Sequence, residues 1–355
     1  MGLLMHQLND RYLKIADAVY ARHFVVDEKL NEEYDDRRKA RMYEDILHNL
    51  SFLQAALAAD DATIFTDYAK WLVRLMIAYM PDLPVARVKE QLLTHYDLLE
   101  TGLREYLDQP EMKRVSKLLG AAKKITSSHD GKQEPHAKAS GRYALAQETY
   151  FRLIKEKQSK AAITYIRQLY DHEALKLEEI FVDVLQPVLY NIGELWHQNR
   201  LTVDEEHYMS SITQVAMSQF YDVIFDGEKE PLTLLACAIG SELHEIGIRM
   251  IADLFENSGW QSHFLGAGMP EKYILDAIRK TDANLIALSV TMPQFLDDCR
   301  RIVLSIREAY PEKRIVVGGQ AFTRTDKLYE KWPIDHYAKD ARDLLAWTQK
   351  TFEVL

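Results

Sequence analysis

The first candidates for chemistry are an imidazole and a carboxylate that lie two residues apart in one glycine-bearing loop. The loop reads GSELHEIG over residues 240–247, and its side chains of interest are Glu242 and His244. Imidazole is a common metal ligand, and a carboxylate that holds its second nitrogen sets the tautomer and the basicity of the ring. On its own, the octet is more typical of an exposed histidine ahead of a helix.

The loop lies between a predicted strand and a predicted amphipathic helix, and the same alternation continues to the end of the chain. Strands are predicted at residues 232–238, 261–266, 285–291, 315–317 and 336–338. Helices are predicted at residues 248–257, 271–280, 297–310, 324–331 and 342–352. Alternating βα units predict a Rossmann-like (flavodoxin-like), doubly wound parallel sheet.

Polar residues and glycines follow three of these strands, at the sheet edge where ligands bind in a doubly wound fold. They are Glu242, His244 and Gly247 after the first strand, Ser289 and Thr291 at the end of the third, and Gly318 and Gly319 at the end of the fourth. Glycines at this edge let a bulky ligand approach the backbone. No Gly-x-Gly-x-x-Gly and no Gly-Lys-Ser/Thr follows a strand, which excludes a dinucleotide fingerprint and a P-loop.

The chain ahead of the sheet has a helical pattern. Apolar residues recur at helical spacing in residues 1–125, which predicts an all-α domain of four or five helices, and the polar residues 126–141 predict a linker. Residues 142–228 predict a four-helix bundle, and residues 229–355 the sheet domain. In the bundle, Pro187 predicts a kink or a register shift in the third helix. Thr202 and Glu205 predict a capping box that starts the fourth helix.

The composition limits the partners and the cellular compartments that we expect for the protein. The net charge of −10 argues against non-specific nucleic-acid binding, which needs a basic face. The two cysteines, Cys237 and Cys299, fall in predicted core elements and suit a reducing cytosol. No stretch reaches the roughly 18–20 apolar residues of a membrane span. We therefore expect a cytoplasmic protein that binds no membrane and makes no direct contact with nucleic acid.

Taken together, Glu-x-His-x-x-Gly, Ser-Val-Thr and Gly-Gly at these positions resemble the cobalamin (vitamin B12) binding domain. The resemblance implies that the nucleotide tail leaves the cobalt and enters the crevice at the strand ends. It implies that His244 is the lower axial cobalt ligand, that Glu242 hydrogen-bonds its other ring nitrogen, and that Ser289 extends this relay. Many members carry Asp where this chain has Glu242. The residues implied to make room for the tail or to lie beside it are Gly247, Ser289, Thr291, Gly318 and Gly319.

The bundle adds a second resemblance, because corrinoid proteins often carry a four-helix cap before this sheet. Its Trp196-His197, Val203 and Glu206-His207 look like the signature of adenosylcobalamin-dependent photoreceptors of the CarH type. The resemblance implies that Trp196 roofs the corrin and packs on the adenosyl group, that Val203 lines the same pocket, and that Glu206 hydrogen-bonds the ribose or base. It also implies that His197 could ligate cobalt from above after light breaks the Co–C bond, and it counts His207 among the cofactor-binding candidates. The resemblance covers about residues 142–340.

Residues 1–125 depart from that type, whose members usually begin with a winged-helix DNA-binding domain. They show no helix-turn-helix with a basic recognition helix, so we expect a sensory or partner-binding module. Some relatives of B12 photoreceptors also hold a bilin such as biliverdin. Because no cysteine precedes Cys237, a bilin in this region would be held non-covalently.

These features predict a light sensor. Photolysis of bound adenosylcobalamin would let the cap move, a ligand-driven population shift that alters homo-oligomer or partner contacts. No kinase, cyclase or phosphodiesterase signature is present, so we expect a regulatory protein with a downstream partner rather than an enzyme. One alternative is a corrinoid methyl carrier of a methyltransferase system, which would use methylcobalamin and an open upper face, against Trp196 and Glu206. Another is a light-independent sensor of B12 level.

Overall fold

A computed structural model describes residues 10–132, 141–241 and 243–352 of the chain. These residues form two compact units. The first unit combines the N-terminal helices, through Lys132, with two later segments, Val290–Arg301 and Gln320–Trp332. The second unit comprises the remaining segments, which end at Ser289, run from Ile302 to Gly319 and resume at Pro333. Among the described helices, none combines the length and the apolar character that a membrane crossing requires.

The N-terminal part of the first unit is helical, as predicted. Within residues 10–132 the helices are α1 (Asp10–Val26), α2 (Leu30–Glu33), α3 (Asp36–Ala59), α4 (Ala62–Tyr79), α5 (Val85–Leu103) and α6 (Gln109–Ser128). Aspartates begin three of them, because the carboxylates of Asp35, Asp61 and Asp108 accept hydrogen bonds from first-turn amides. The last three residues of α6 extend into the segment predicted as a linker, and Thr126 there is fully buried.

The second unit begins with the predicted bundle. Its helices are α7 (Ala144–Lys155), α8 (Ser159–Asp171), a long third helix built from α9 (Leu177–Glu179), a π-helical stretch (Ile180–Leu185) and α10 (Gln186–His197), then α11 (Val203–Ser218) and the short α12 (Tyr221–Ile224). We call these helices the cap. Tyr150, Phe181 and Phe220 are fully buried in its core. The capping box that starts α11 is confirmed, because the Thr202 amide donates to Glu205 at 2.9 Å.

The π-helical stretch is the register shift that Pro187 predicts. Proline has no amide hydrogen, so the Asp183 carbonyl loses the donor that an α-helix would provide four residues later. The side-chain amide of Gln147 on α7 donates to that carbonyl at 2.6 Å. The third helix therefore passes through Pro187 with this partly buried carbonyl group satisfied by a neighbouring helix.

The sheet is five-stranded and parallel, in the order β2-β1-β3-β4-β5, which confirms the doubly wound prediction. The strands are β1 (Thr233–Ala238), β2 (Gln261–Phe264), β3 (Leu285–Ser289), β4 (Arg314–Gly318) and β5 (His336–Ala338). The longer helices between and after them are α13 (Ile246–Asn257), α14 (Glu271–Thr281), α15 (Leu296–Ala309) and α17 (Ala341–Thr351), and α16 (Gln320–Thr323) is short. β1 and most of β3 are buried on both faces, as parallel strands require.

One predicted helix, at residues 324–331, is wrong. The structure has the four-residue α16 and, after a gap, a 3-10 turn at Leu328–Lys331. Lys327 has a φ of 49° in the left-handed region, which interrupts a helix. The hydroxyl of Thr325 closes the local turn by donating to the Phe322 carbonyl at 2.9 Å and accepting from the Leu328 amide at 3.3 Å.

Candidate functional site

The predicted site residues of the sheet follow neighbouring strands at one edge. Ala238 of β1 pairs with Ser289 of β3, and Ser289 pairs with Gly318 of β4. The carboxyl ends of these three strands are therefore aligned. The structure thus brings Ser289 and Gly318 side by side, directly beside the strand from which the His244 loop leaves.

The loop after β1 is tied to its neighbours through its backbone. The Ile239 amide donates to the Ser289 carbonyl at 2.9 Å, and the Gly268 amide donates to the Gly240 carbonyl at 3.1 Å. Gly240 has a φ of 89°, a conformation that favours glycine. These bonds fix the stem of the loop, so the residues beyond Gly240 start from a defined position at the sheet edge.

The imidazole of His244 is exposed, two residues before α13 begins. Leu243 beside it is also exposed, at 68%, which is unusual for a large apolar side chain. The hydroxyl oxygen of Ser241 is buried, and it has no hydrogen-bond partner among the residues that the structure describes. Glu242, the predicted partner of the imidazole, lies outside those residues.

Different structural features favour glycine at the three glycine positions of the predicted crevice. A Cβ added to Gly247 would meet no atom within 4 Å, so the space beside the first turn of α13 is open. A Cβ at Gly318 would lie 3.0 Å from the Ala338 carbonyl oxygen, and Gly319 has a φ of 100°. Gly318 and Gly319 are thus explained by packing and backbone conformation, whereas Gly247 leaves room that the protein itself does not use.

In the cap, Trp196 and His197 are the last two residues of α10. Trp196 is half-buried and packs against the cap core. His197 is only 3% exposed, and its Nδ1 lies 4.0 Å from the Glu194 carboxylate. The two side chains therefore lie in different surroundings: the indole reaches the surface in part, and the imidazole is enclosed.

Three further predicted residues lie in the first turns of α11. Val203 is 45% exposed, and the His207 side chain is exposed. Glu206 is half-buried, and its two oxygens have partners, Ser210 Oγ at 2.8 Å and His207 Nδ1 at 2.6 Å. The resemblance implies that Glu206 hydrogen-bonds the ribose or base of the adenosyl group, and in the structure Ser210 and His207 occupy its two oxygens.

Helix α13 joins the His244 loop to the cap. Met250 and Leu254 of α13 belong to the buried cap core. Arg249 donates to the Tyr221 hydroxyl of α12 and to Asp253 at 3.0 Å, and its guanidinium lies 4.9 Å from the Phe264 ring centroid. Nothing in the sequence pattern singles out Arg249, because an arginine on an amphipathic helix is ordinarily a solvated residue.

Burial raises the pKa of Asp253 to about 6, and the nearby Arg249 only partly opposes this shift. One Asp253 oxygen is buried without a hydrogen-bond partner among the described residues. The contact between α13 and the cap thus includes the carboxyl group of Asp253, whose burial is only partly compensated by Arg249.

The fold agrees with what comparison with known protein families shows. Residues 232–346 match a family described as B12 binding domain, and residues 140–221 match a second family of the same description. The two matches together cover more than half of the chain.

The chain is a B12-binding-domain protein. The first match covers the sheet domain with the His244 loop, and the second covers most of the cap. The resemblance drawn from Glu-x-His-x-x-Gly and the cap residues is thereby confirmed at the level of the family.

Similar proteins include a transcriptional repressor and corrinoid proteins. The HTH-type transcriptional repressor CarA of Myxococcus xanthus is 27% identical over 185 residues, 52% of this chain and 62% of CarA. Dimethylamine corrinoid protein 3 of Methanosarcina acetivorans is 22% identical over 172 residues, 48% of this chain and 80% of that protein. The solved Methanosarcina barkeri monomethylamine corrinoid protein shares the fold, with a TM-score of 0.52 and 14% identity over 59% of this chain and 99% of that chain.

The residues at the sheet edge of this B12-binding-domain protein fit a corrinoid. His244 is an exposed histidine, a residue type that can bind cobalt, and the space beside Gly247 is open. The buried Ser241 hydroxyl lacks a protein partner within the described part of the loop, and a bound polar group would satisfy it.

Proposed function

We propose that the protein is a light sensor that holds adenosylcobalamin between the cap and the parallel sheet. The observation that carries the proposal is the position of His244. Its exposed imidazole precedes α13, and α13 packs into the core of the cap that carries Trp196. A change at the metal ligand would therefore reach the cap through one short helix.

Bound adenosylcobalamin would supply a Co–C bond that visible light breaks. The residues of the chain would do the rest. His244 would hold the cobalt from below, with its second ring nitrogen fixed by Glu242 and Ser289, as the family resemblance implies. Trp196 would shelter the upper face and exclude water from it.

Two predicted contacts require local rearrangement. Glu206 would have to exchange Ser210 or His207 for the adenosyl ribose or base. His197 is enclosed, so ligating cobalt from above after photolysis would require it to leave the side of Glu194. Both changes occur in the cap, and we propose that they displace it and alter homo-oligomer or partner contacts.

Size-exclusion chromatography tests this proposal, with an absorbance spectrum recorded on the same sample. Protein loaded with adenosylcobalamin is compared in the dark and after green light. We expect a spectral change and a shift in elution volume. An unchanged spectrum and identical elution would defeat the light-sensor proposal while leaving cobalamin binding intact.

A second candidate is a corrinoid methyl carrier in a methyltransferase system. It is favoured by the match to dimethylamine corrinoid protein 3, which spans 80% of that protein. This function would use methylcobalamin on the same His244 and would need an open upper face. Methyl transfer from methylcobalamin to a thiol, in the presence of a partner enzyme, would support it.

A response that follows cobalamin concentration and ignores light would instead support a B12-level sensor.

We propose, as a further candidate ligand, a bilin bound among the N-terminal helices. We call these helices, α1 to α6, the helical unit. His23 and His95 are buried there and share a hydrogen bond of 3.0 Å. Among the described residues, His95 Nε2 and the buried Tyr68 hydroxyl have no hydrogen-bond partner. Buried polar atoms of this kind favour an interior ligand or ordered water. Long-wavelength absorbance after addition of biliverdin would support a bound bilin, and the absence of this absorbance would exclude one.

A further inference from the structure

Two segments that continue the site-bearing strands fold together with the N-terminal helices. Val290–Arg301 continues the chain after Ser289, and Gln320–Trp332 continues it after Gly319. The Ala321 amide donates to the Val290 carbonyl at 3.1 Å, so the two segments are joined to each other. The sequence placed both segments in the sheet domain and gave no sign that they contact helices more than 200 residues earlier.

The segment after β4 is held at the start of α4 by Asp61. One carboxylate oxygen of Asp61 caps α4 by accepting from the Thr63 amide at 2.9 Å. The other oxygen accepts from the Asp326 amide at 2.7 Å. Asp61 is only 5% exposed, so both interactions form away from bulk water, where a charge-assisted hydrogen bond is strong. The Thr63 hydroxyl also lies 3.1 Å from the Arg324 carbonyl oxygen.

The segment after β3 packs on α3. A 3-10 turn at Pro293–Phe295 contacts that helix, and Phe295 and Leu296 are buried. A cleft of ≈ 190 Å³ lies at this junction, lined by Ala58 of α3, by Leu296 of the segment after β3 and by Leu328 of the segment after β4. The helices therefore contact both segments that leave the site-bearing edge of the sheet.

We propose that Asp61 is a positioning residue through which the helical unit controls corrinoid binding at the sheet edge. The inference rests on the proposed course of the nucleotide tail beside Ser289 and Gly319, and it is independent of the photochemistry. Gly319 is followed at once by α16 (Gln320–Thr323). Release of the segment Gln320–Trp332 from the helices would therefore free the end of β4, which the nucleotide tail must pass. Because binding linkage is reciprocal, a corrinoid at the edge would in turn stabilise the contact at Asp61.

Asp61→Asn separates the two interactions of the carboxylate. Asparagine is as good an N-cap as aspartate, so its oxygen can still accept from the Thr63 amide. Its NH₂ group would face the Asp326 N–H, which places donor against donor. Asp108→Asn is the matched control, because Asp108 also caps a helix and accepts from the Glu111 amide of its own helix at 2.8 Å.

A second pair of variants guards against misfolding. Thr63→Val removes the hydroxyl that faces the Arg324 carbonyl and keeps the β-branched shape. Thr66→Val is its control, because the Thr66 hydroxyl donates to the Thr63 carbonyl within α4 at 3.2 Å. A general loss of stability would affect test and control variants alike.

The test is hydrogen exchange and adenosylcobalamin titration of the full chain in the dark. We expect adenosylcobalamin to slow exchange in residues 320–332 and in the first turn of α4. Asp61→Asn should speed exchange in residues 320–332 and raise the Kd about tenfold, the equivalent of one lost charge-assisted hydrogen bond. Thr63→Val should act in the same direction by a smaller factor, and the two controls should match the wild type.

An unchanged Kd in both test variants, or protection confined to residues 142–289, would overturn the inference. A missing light response with these dark results intact would count against the light-sensor proposal alone. The two failures are therefore distinguishable.

Discussion

The guanidinium of Arg342 donates two hydrogen bonds to the carboxylate of Asp183, at 2.9 and 2.5 Å. Arg342 lies in the first turn of α17 beside the sheet, and Asp183 lies in the π-helical stretch of the cap. Arg342 also donates to Glu178. The hydrogen bonds to Asp183 are the main reason that the pKa of Arg342 is raised. This ion pair and the contact between Arg249 and Tyr221 hold the cap against the sheet domain. A movement of the cap relative to the sheet must therefore either preserve these contacts or break them.

Arg342→Ala should lower the free energy of unfolding by about 1–2 kcal/mol, because it removes charge-assisted hydrogen bonds and leaves two carboxylates unpaired. Arg152→Ala is the control, since Arg152 pairs with Glu156 four residues away on the exposed face of α7. Such pairs contribute about 0.3–0.5 kcal/mol. Urea unfolding measures both, and equal losses would mean that Arg342 forms an ordinary surface pair.

His244→Ala should weaken adenosylcobalamin binding by at least about tenfold, because the protein would lose its ligand to cobalt. The spectrum of any bound cofactor should change to that of cobalamin without a protein nitrogen below the cobalt. His172→Ala is the control, since His172 is an exposed histidine at the end of α8. A mutant that retains the wild-type spectrum and Kd would remove His244 from the site.

Trp196→Ala should reduce the affinity for adenosylcobalamin more than the affinity for methylcobalamin. Only the adenosyl group is large enough to pack against the indole, and loss of that contact should change the ratio of the two Kd values about tenfold. Tyr190→Ala, an exposed aromatic on the same helix, serves as the comparison. Titrations in the dark that give the same loss for both cofactors would argue against a roof over the adenosyl group.

The helical unit should lose stability as the pH falls from about 6.5 to 4. Burial lowers the pKa of His23 from 6.5 to about 4. The unfolded chain therefore binds a proton in this window that the folded chain does not, and stability falls with the pH. The lowered pKa of His23 corresponds to about 3–4 kcal/mol of stability, fully present above pH 6.5 and lost as the pH falls through about 4.

His23→Gln should reduce this dependence in urea unfolding at pH 7 and pH 5, because His48 and His95 then still keep pKa values that burial lowers, whereas the exposed His172→Gln should retain it in full. A slope that persists unchanged in His23→Gln would assign the acid sensitivity to other groups, of which the buried His95 is the first to test. The pKa of His95 is also lowered, again by burial.

Much of the fold could be read from local pattern. Period-3.6 apolar residues predict the helices, and apolar runs with flanking glycines predict the five strands, because burial on one helix face or on both strand faces leaves a direct record in the sequence. Pro187 and the pair Thr202 and Glu205 predict a register shift and a cap for the same reason: each acts on backbone groups within four residues. The helix predicted at residues 324–331 fails because Lys327 adopts the left-handed conformation, which its residue type does not signal.

By itself, the sequence determined the family and predicted the side chains that would hold a corrinoid, since residue type and spacing along one loop or helix suffice to propose a ligand set such as Glu242, His244 and Gly247. Only the tertiary structure decided which partners those side chains already have. Glu206 is engaged by Ser210 and His207, and His197 is enclosed beside Glu194. It also decided which helices contact the segments after β3 and β4. Such contacts join residues up to 265 positions apart, as Asp61 and Asp326 are, and no local pattern encodes a pairing at that distance.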